Sequence, residues 1–128
     1  MKELKLEGSN DKPFVRFNGK KGFMQIGGVS LPENVLEAYH PILTWLERYM
    51  SRPREKTFFE FFFDYLNTSS VNIMMRIVEL LERLNKKTEV KINWCYLSGD
   101  FDMKDLGIEL LEESTLSYEI VEKDQLLY

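Results

Sequence analysis

Three consecutive hydroxyl side chains preceded by an amide, Asn67-Thr68-Ser69-Ser70, stand between the most hydrophobic run of the chain, Thr57 to Tyr65, and a run with helical spacing, Val71 to Leu84. The join predicts a strand-to-helix turn whose polar residues fall in the first helical turn. Helix starts attract oxyanions, because their first backbone N–H groups have no partner within the helix. Two readings of the four residues follow. As caps, Asn, Thr and Ser satisfy those N–H groups and stabilise the helix by about 1 kcal/mol. As a modification site, Thr68 would carry about −1.5 to −2 charges on phosphorylation, next to the positive end of the helix dipole. The two readings are compatible. A nucleophilic Thr68 would need an adjacent base and an oxyanion site, and neither is apparent.

Other residues with chemical potential are weaker candidates. Glu60 and Asp64 share one strand face and could trade protons or hold a metal, but no further ligands accompany them, and a solvent-facing edge explains both. An enzyme using Asp64 with Thr68 is a further, weaker reading. Gly99-Asp100-Phe101-Asp102 with Asp105 resembles a fragment of a calcium loop whose remaining ligand positions are missing; a turn and helix cap fits better. His40 reads as a surface helix residue. Cys95 falls on the polar face of its strand. The phenylalanine-rich strand could line an apolar ligand pocket, as in a small-ligand-binding domain, but it reads first as core.

The totals narrow the classes further. The 128 residues suffice for one domain with a real core. A net charge of −4 and a pI near 5.1 argue against a nucleic-acid partner. No apolar run approaches the ~20 residues that span a bilayer, and the N-terminal residues lack the apolar core of a signal peptide. A single cysteine forms no internal disulfide, which predicts a reducing cytoplasm. One cysteine and one histidine argue against zinc, and no cofactor is expected.

The elements that must position the turn are legible in order. Leu4 to Gly8 predicts an edge strand. Pro13 to Phe17 and Gly22 to Gly28 predict a hairpin through Asn18-Gly19, ended by Gly27-Gly28. A helix is predicted from Glu33 to Met50, with Val35, Tyr39, Ile42, Leu46 and Tyr49 as its apolar stripe, widened by Leu36, Leu43 and Met50. Pro41 should kink it near Glu37. The strand Thr57 to Leu66 directs Phe59, Phe61, Phe63 and Tyr65 one way and Phe58, Phe62 and Leu66 the other. It should therefore be covered on each side at least in part, with Glu60 and Asp64 leaving the second side partly open. A helix from Thr68 to about Asn85 buries Met74, Ile77, Val78 and Leu81 and carries the polar stripe Asn72, Arg76, Glu79 and Arg83. Glu89 to Tyr96 directs Val90, Ile92, Trp94 and Tyr96 inward. Asp102 caps a third helix, Ser117 to Glu122 forms a last strand, and the tail from Lys123 to Tyr128 frays. Together these predict one α/β domain over residues 1–128, with a mixed sheet, three main helices and an N-terminal β-hairpin.

The segment Tyr65-Leu66-Asn67-Thr68-Ser69-Ser70 has companions: Leu31-Pro32-Glu33-Asn34 and Trp45 before it, then Trp94-Cys95-Tyr96, Asp100-Phe101-Asp102-Met103 and Gly107 after it. In these residues the chain resembles the SiaC family of bacterial regulatory phosphoproteins over essentially its whole length. The resemblance implies a fold like the sulfate-transporter and anti-sigma-factor-antagonist (STAS) domains, and no enzymatic activity. It implies that Thr68 takes phosphate from a partner kinase and that a PP2C-type phosphatase removes it. The unphosphorylated form would then bind and activate a diguanylate cyclase or another output protein, raising cyclic di-GMP and favouring biofilm. The docking face expected from this comprises Asn67, Thr68, Ser69, Asn72 and Arg76, with Glu33 and Asn34 close by.

Overall fold

A computed structural model describes residues 2–125. The elements are β1 (Leu4–Leu6), β2 (Phe14–Asn18), β3 (Phe23–Ser30), α1 (Val35–Ser51), β4 (Lys56–Leu66), α2 (Thr68–Leu84), β5 (Glu89–Leu97), α3 (Phe101–Leu111) and β6 (Ser117–Lys123). The six strands lie side by side in sequence order. β1 pairs antiparallel with β2, β2 pairs antiparallel with β3 through the Asn-Gly turn, and β3 to β6 pair parallel. Three crossovers of one hand, all stepping the same way along the sheet, put their helices on the same face.

That face forms the core. Cross-strand rows run Phe17, Met24, Phe59, Ile92 and then Val15, Ile26, Phe61, Trp94, and every one of these side chains is fully buried. The helices cover them with Tyr39, Ile42, Leu46 and Tyr49 from α1 and Met74, Ile77 and Leu81 from α2. α3 comes close to Trp94 because residue 107 is glycine: a Cβ there would lie 2.2 Å from the indole. The Trp94 indole N–H donates to the Met103 carbonyl at 2.9 Å.

The opposite face carries no helix, so β4 is covered by helices on one side alone. Its rows explain what is buried there. Phe14, Gly27, Phe62, Cys95 and Val121 stand in one row, and Arg16, Gln25, Glu60, Asn93 and Glu119 stand in the next. The first row shelters Cys95, which is buried rather than on a polar face. Burial raises its thiol pKa to about 12, aided by Glu60 and opposed by Lys123. In the second row Gln25 Nε2 donates to Glu60 Oε1 at 3.0 Å.

Several boundaries differ from the expectations. β3 does not stop at Gly27-Gly28 but runs on to Ser30, because it also pairs with β4; Gly27 is required there, since a Cβ would lie 2.1 Å from the Phe62 carbonyl oxygen. α1 starts at Val35, with Asn34 as its cap, and continues through Pro41 to Ser51. Asp100, not Asp102, caps α3 by accepting from the Met103 N–H. Lys123 is the last residue of β6, paired with Leu97, and the end of the tail, 126–128, lies outside the described residues.

One difference concerns the site directly. The pairing of β3 with β4 steps from Gly28↔Phe63 to Val29↔Tyr65, so Asp64 is an extra residue in β4. An extra residue reverses the facing of all that follows. Leu66 therefore turns inward against the core, and Tyr65, expected beside Phe63, is 52% exposed.

Candidate functional site

At the end of the sheet where the parallel strands finish, α1 and α2 both begin. The four polar residues of the turn have different fates there. Asn67 is the N-cap of α2, and its side-chain oxygen accepts from Ser70 N at 2.9 Å and from the Ser69 hydroxyl at 3.2 Å. The Asn67 N–H donates to the Ser30 carbonyl at 3.0 Å, which ties the turn to the end of β3. Ser70 is fully buried. Thr68 is exposed, and its hydroxyl has no hydrogen-bond partner among the described residues. Capping thus belongs to Asn67 and leaves Thr68 free. The backbone N–H groups of Thr68 and Ser69 also lack a protein acceptor among the described residues, as a helix start requires.

Beneath Thr68 lies a buried hydroxyl chain. Ser70 Oγ donates to the Ser30 carbonyl at 3.0 Å, Ser30 Oγ lies 2.7 Å from Ser70 Oγ, and Tyr39 OH lies 2.7 Å from Ser30 Oγ. The carbonyl can only accept, so with all three bonds made the protons run one way, from Tyr39 to Ser30 to Ser70 to the carbonyl. Burial raises the Tyr39 pKa to about 12, against the lowering effect of the bonds with Ser30 and Ser70. The chain fastens α1, β3 and α2 together directly under the exposed threonine.

Exposed large hydrophobic side chains gather toward this end of the sheet. Among the described residues six large hydrophobic side chains are exposed, and five belong to this end: Leu31, Leu36, Tyr65, Met75 and Phe101. Leu31 follows β3, Leu36 and Phe101 lie in the first turns of α1 and α3, and Met75 lies seven residues after Thr68 on the same face of α2. Sequence reasoning missed this patch. Leu36, expected to widen the buried stripe of α1, is 63% exposed. Met75 had a signal, since it falls in the polar stripe of Asn72, Arg76 and Glu79.

The other expected docking residues are arranged as follows. Asn72 and Arg76 are exposed on α2, one and two turns from Thr68. Glu33 and Asn34 are exposed in the segment leading from Ser30 into α1, and the Asn34 side-chain oxygen accepts from Glu37 N at 3.1 Å. Asp64 is exposed and does not hydrogen-bond Thr68. No group of three or more His, Cys, Asp or Glu among the described residues is placed to hold a metal. No helix among them is long and apolar enough to cross a membrane.

Fold and turn together define a STAS-like α/β domain that holds an uncommitted hydroxyl at a helix start, amid exposed apolar side chains. The family can be given more closely. The SiaC family regulatory phosphoprotein profile matches residues 6–123, and the chain belongs to that family. It is 27% identical to an uncharacterized protein of Pseudomonas aeruginosa strain UCBPP-PA14 over 126 residues, covering 98% of this chain and 100% of that one. The crystal structure of apo-SiaC from P. aeruginosa superposes with a TM-score of 0.86 at 27% identity, covering 94% of this chain and 99% of that one. SiaC in complex with the diguanylate cyclase SiaD, whose activator it is, superposes with a TM-score of 0.87 at 26% identity, again covering 94% and 99%.

Proposed function

We propose that the chain, as one SiaC-type domain over residues 1–128, is the switch component of a phosphorylation circuit without catalytic activity of its own. A partner serine/threonine-type kinase phosphorylates Thr68, a PP2C-type phosphatase restores the hydroxyl, and the unphosphorylated form binds and activates a diguanylate cyclase. The observation that carries this reading is the division of labour in the turn: Asn67 caps, Ser70 is buried, and Thr68 is exposed and uncommitted. The cyclase as partner is supported by the related SiaC–SiaD complex.

The physical mechanism is asymmetric solvation. Within its own domain, a phosphate on Thr68 stays in water beside two free N–H groups and the positive helix end. A partner that covers Leu31, Leu36, Tyr65 and Met75 must dehydrate that phosphate or supply a cation for it. Burying such a charge unpaired costs several kcal/mol, and each 1.4 kcal/mol is about tenfold in affinity. Asn67, Ser69, Asn72 and Arg76, with Glu33 and Asn34, form the polar rim of the contact.

Intact mass after expression in the native host, with phosphosite mapping, tests the modification. The expected result is a fraction of the protein heavier by one phosphate, located on Thr68 and absent from Thr68→Ala. A protein modified only at Ser69 or elsewhere, under conditions where the circuit is active, contradicts it.

A further inference from the structure

Along α1 from His40 to Ser51 runs a groove of about 850 Å³, bounded also by the β2–β3 turn and the segment leading into β4, at the end of the sheet away from Thr68. Its size is that of ordinary small-ligand sites. Its lining is electrically one-sided. Lys2, Lys20, Arg48, Arg52 and Arg54 line it, and no Asp or Glu does, although acids outnumber bases 21 to 17 in the chain. None of these five cations has an ion-pair partner among the described residues.

Helix termini explain only part of this. Arg48 and Arg52 fit the preference for cations at a helix C-terminus. Lys2, Lys20 and Arg54 come from three other segments and owe nothing to that dipole. The wall on which these residues sit is rigid. The Trp45 indole N–H donates to the Lys2 carbonyl at 2.7 Å, and Trp45 stacks on Tyr49 with ring centroids 5.6 Å apart. The Tyr49 hydroxyl bonds Thr57 Oγ1 at 2.7 Å and accepts from Arg54 N at 3.2 Å. A rigid wall lowers the ordering cost of converging several long side chains on one ligand.

We infer that this groove binds a di- or triphosphate group of a small molecule, such as a nucleotide. Five positive charges, three of them guanidinium forks suited to bidentate phosphate contacts, match the three to four negative charges of such a group better than those of a single phosphate. Its arginines and Lys20 lie toward the opposite end of the sheet from Thr68, so phosphate on Thr68 does not compete for them.

The test is a titration of the full chain, at low and at physiological salt, with tripolyphosphate, ATP, inorganic phosphate and a polyglutamate peptide, read by calorimetry and by backbone amide shifts. Saturable binding of tripolyphosphate and ATP, weakened by salt, is expected, with shifts confined to Lys2, the Gly19-Lys20 turn and the stretch from His40 to Arg54. Arg48→Ala with Arg52→Ala should lower the affinity at least about tenfold, while Lys104→Ala on α3 leaves it unchanged. If the alanine pair lowers the melting temperature, Arg48→Gln with Arg52→Gln replaces it. Absence of saturation at low salt, shifts centred elsewhere, undiminished binding by both pairs, or tighter binding of polyglutamate than of tripolyphosphate would each overturn the assignment.

Discussion

The two ends of α1 are built alike inside and differently outside. At its start Tyr39 bonds Ser30 in the hydroxyl chain with Ser70; at its end Tyr49 bonds Thr57. Each is a buried tyrosine tying the helix to neighbouring elements. Outside, the first end shows Leu31, Leu36, Tyr65 and Met75 around Thr68, and the second shows lysines and arginines. The interior thus makes both ends rigid, and the surface residues decide what each end can meet. On the proposed function, an apolar surround would make a single added phosphate a large perturbation to a docking protein. A cationic surround would absorb the same charge.

Substitutions can break this comparison. The largest effect is expected at the cationic end for Gly22→Ala. Gly22 has φ +64, and a Cβ there would lie 2.4 Å from the Lys56 carbonyl oxygen. A loss of about 2–4 kcal/mol is expected in chemical denaturation, with little change in partner affinity per folded molecule. At the other end, Ser70→Ala leaves one proton of the Tyr39–Ser30 pair without an acceptor. That should cost about 1–3 kcal/mol and also weaken partner binding, because the start of α2 loosens under Thr68. If Ser70→Ala lowers stability but leaves binding intact, the buried chain is mere scaffold.

Smaller effects sharpen the contrast. Leu36→Ser should change stability by no more than about 0.5 kcal/mol, since the side chain is exposed. Affinity for the output partner should fall about tenfold, the behaviour of an interface residue rather than a core residue. A separate effect concerns pH and appears only in strong alkali. Tyr39 ionises near 10 when unfolded and only near 12 when folded, so its contribution to stability is complete below pH 10 and is lost between pH 10 and 12. Tyr39→Phe should show a shallower fall in stability than the wild type over that window.

Much of this architecture was legible in the sequence. The Asn-Gly hairpin, the alternation of Phe59, Phe61 and Phe63, and the spacing of Met74, Ile77, Val78 and Leu81 fixed the mixed sheet, the order of elements and the buried faces. The turn at Thr68 was located as well, because a polar cluster between an apolar run and a helical run has few other meanings. What escaped depended on long-range pairing. Alternation assumes an unbroken register and so directs Tyr65 inward, and only the pairing with β3 reveals Asp64 as the extra residue. Strand alternation alone puts Cys95 on a polar face, because its shelter comes from Phe62 and Phe14 on other strands. Leu36 and Met75 are hydrophobic residues on helices, and apolar character alone does not tell a core residue from a docking residue. The choice of Asn67 over Thr68 as the cap was equally hidden, since both types serve that role.

The most direct measurement of the central claim compares two forms of one protein. Affinity for the output cyclase should be determined with Thr68 unmodified and with Thr68 phosphorylated to completion, in the same buffer. Release driven by an unpaired buried phosphate predicts at least about a hundredfold weaker binding for the phosphorylated form, with Thr68→Ala binding like the unmodified protein. Equal affinity of the two forms would contradict the account.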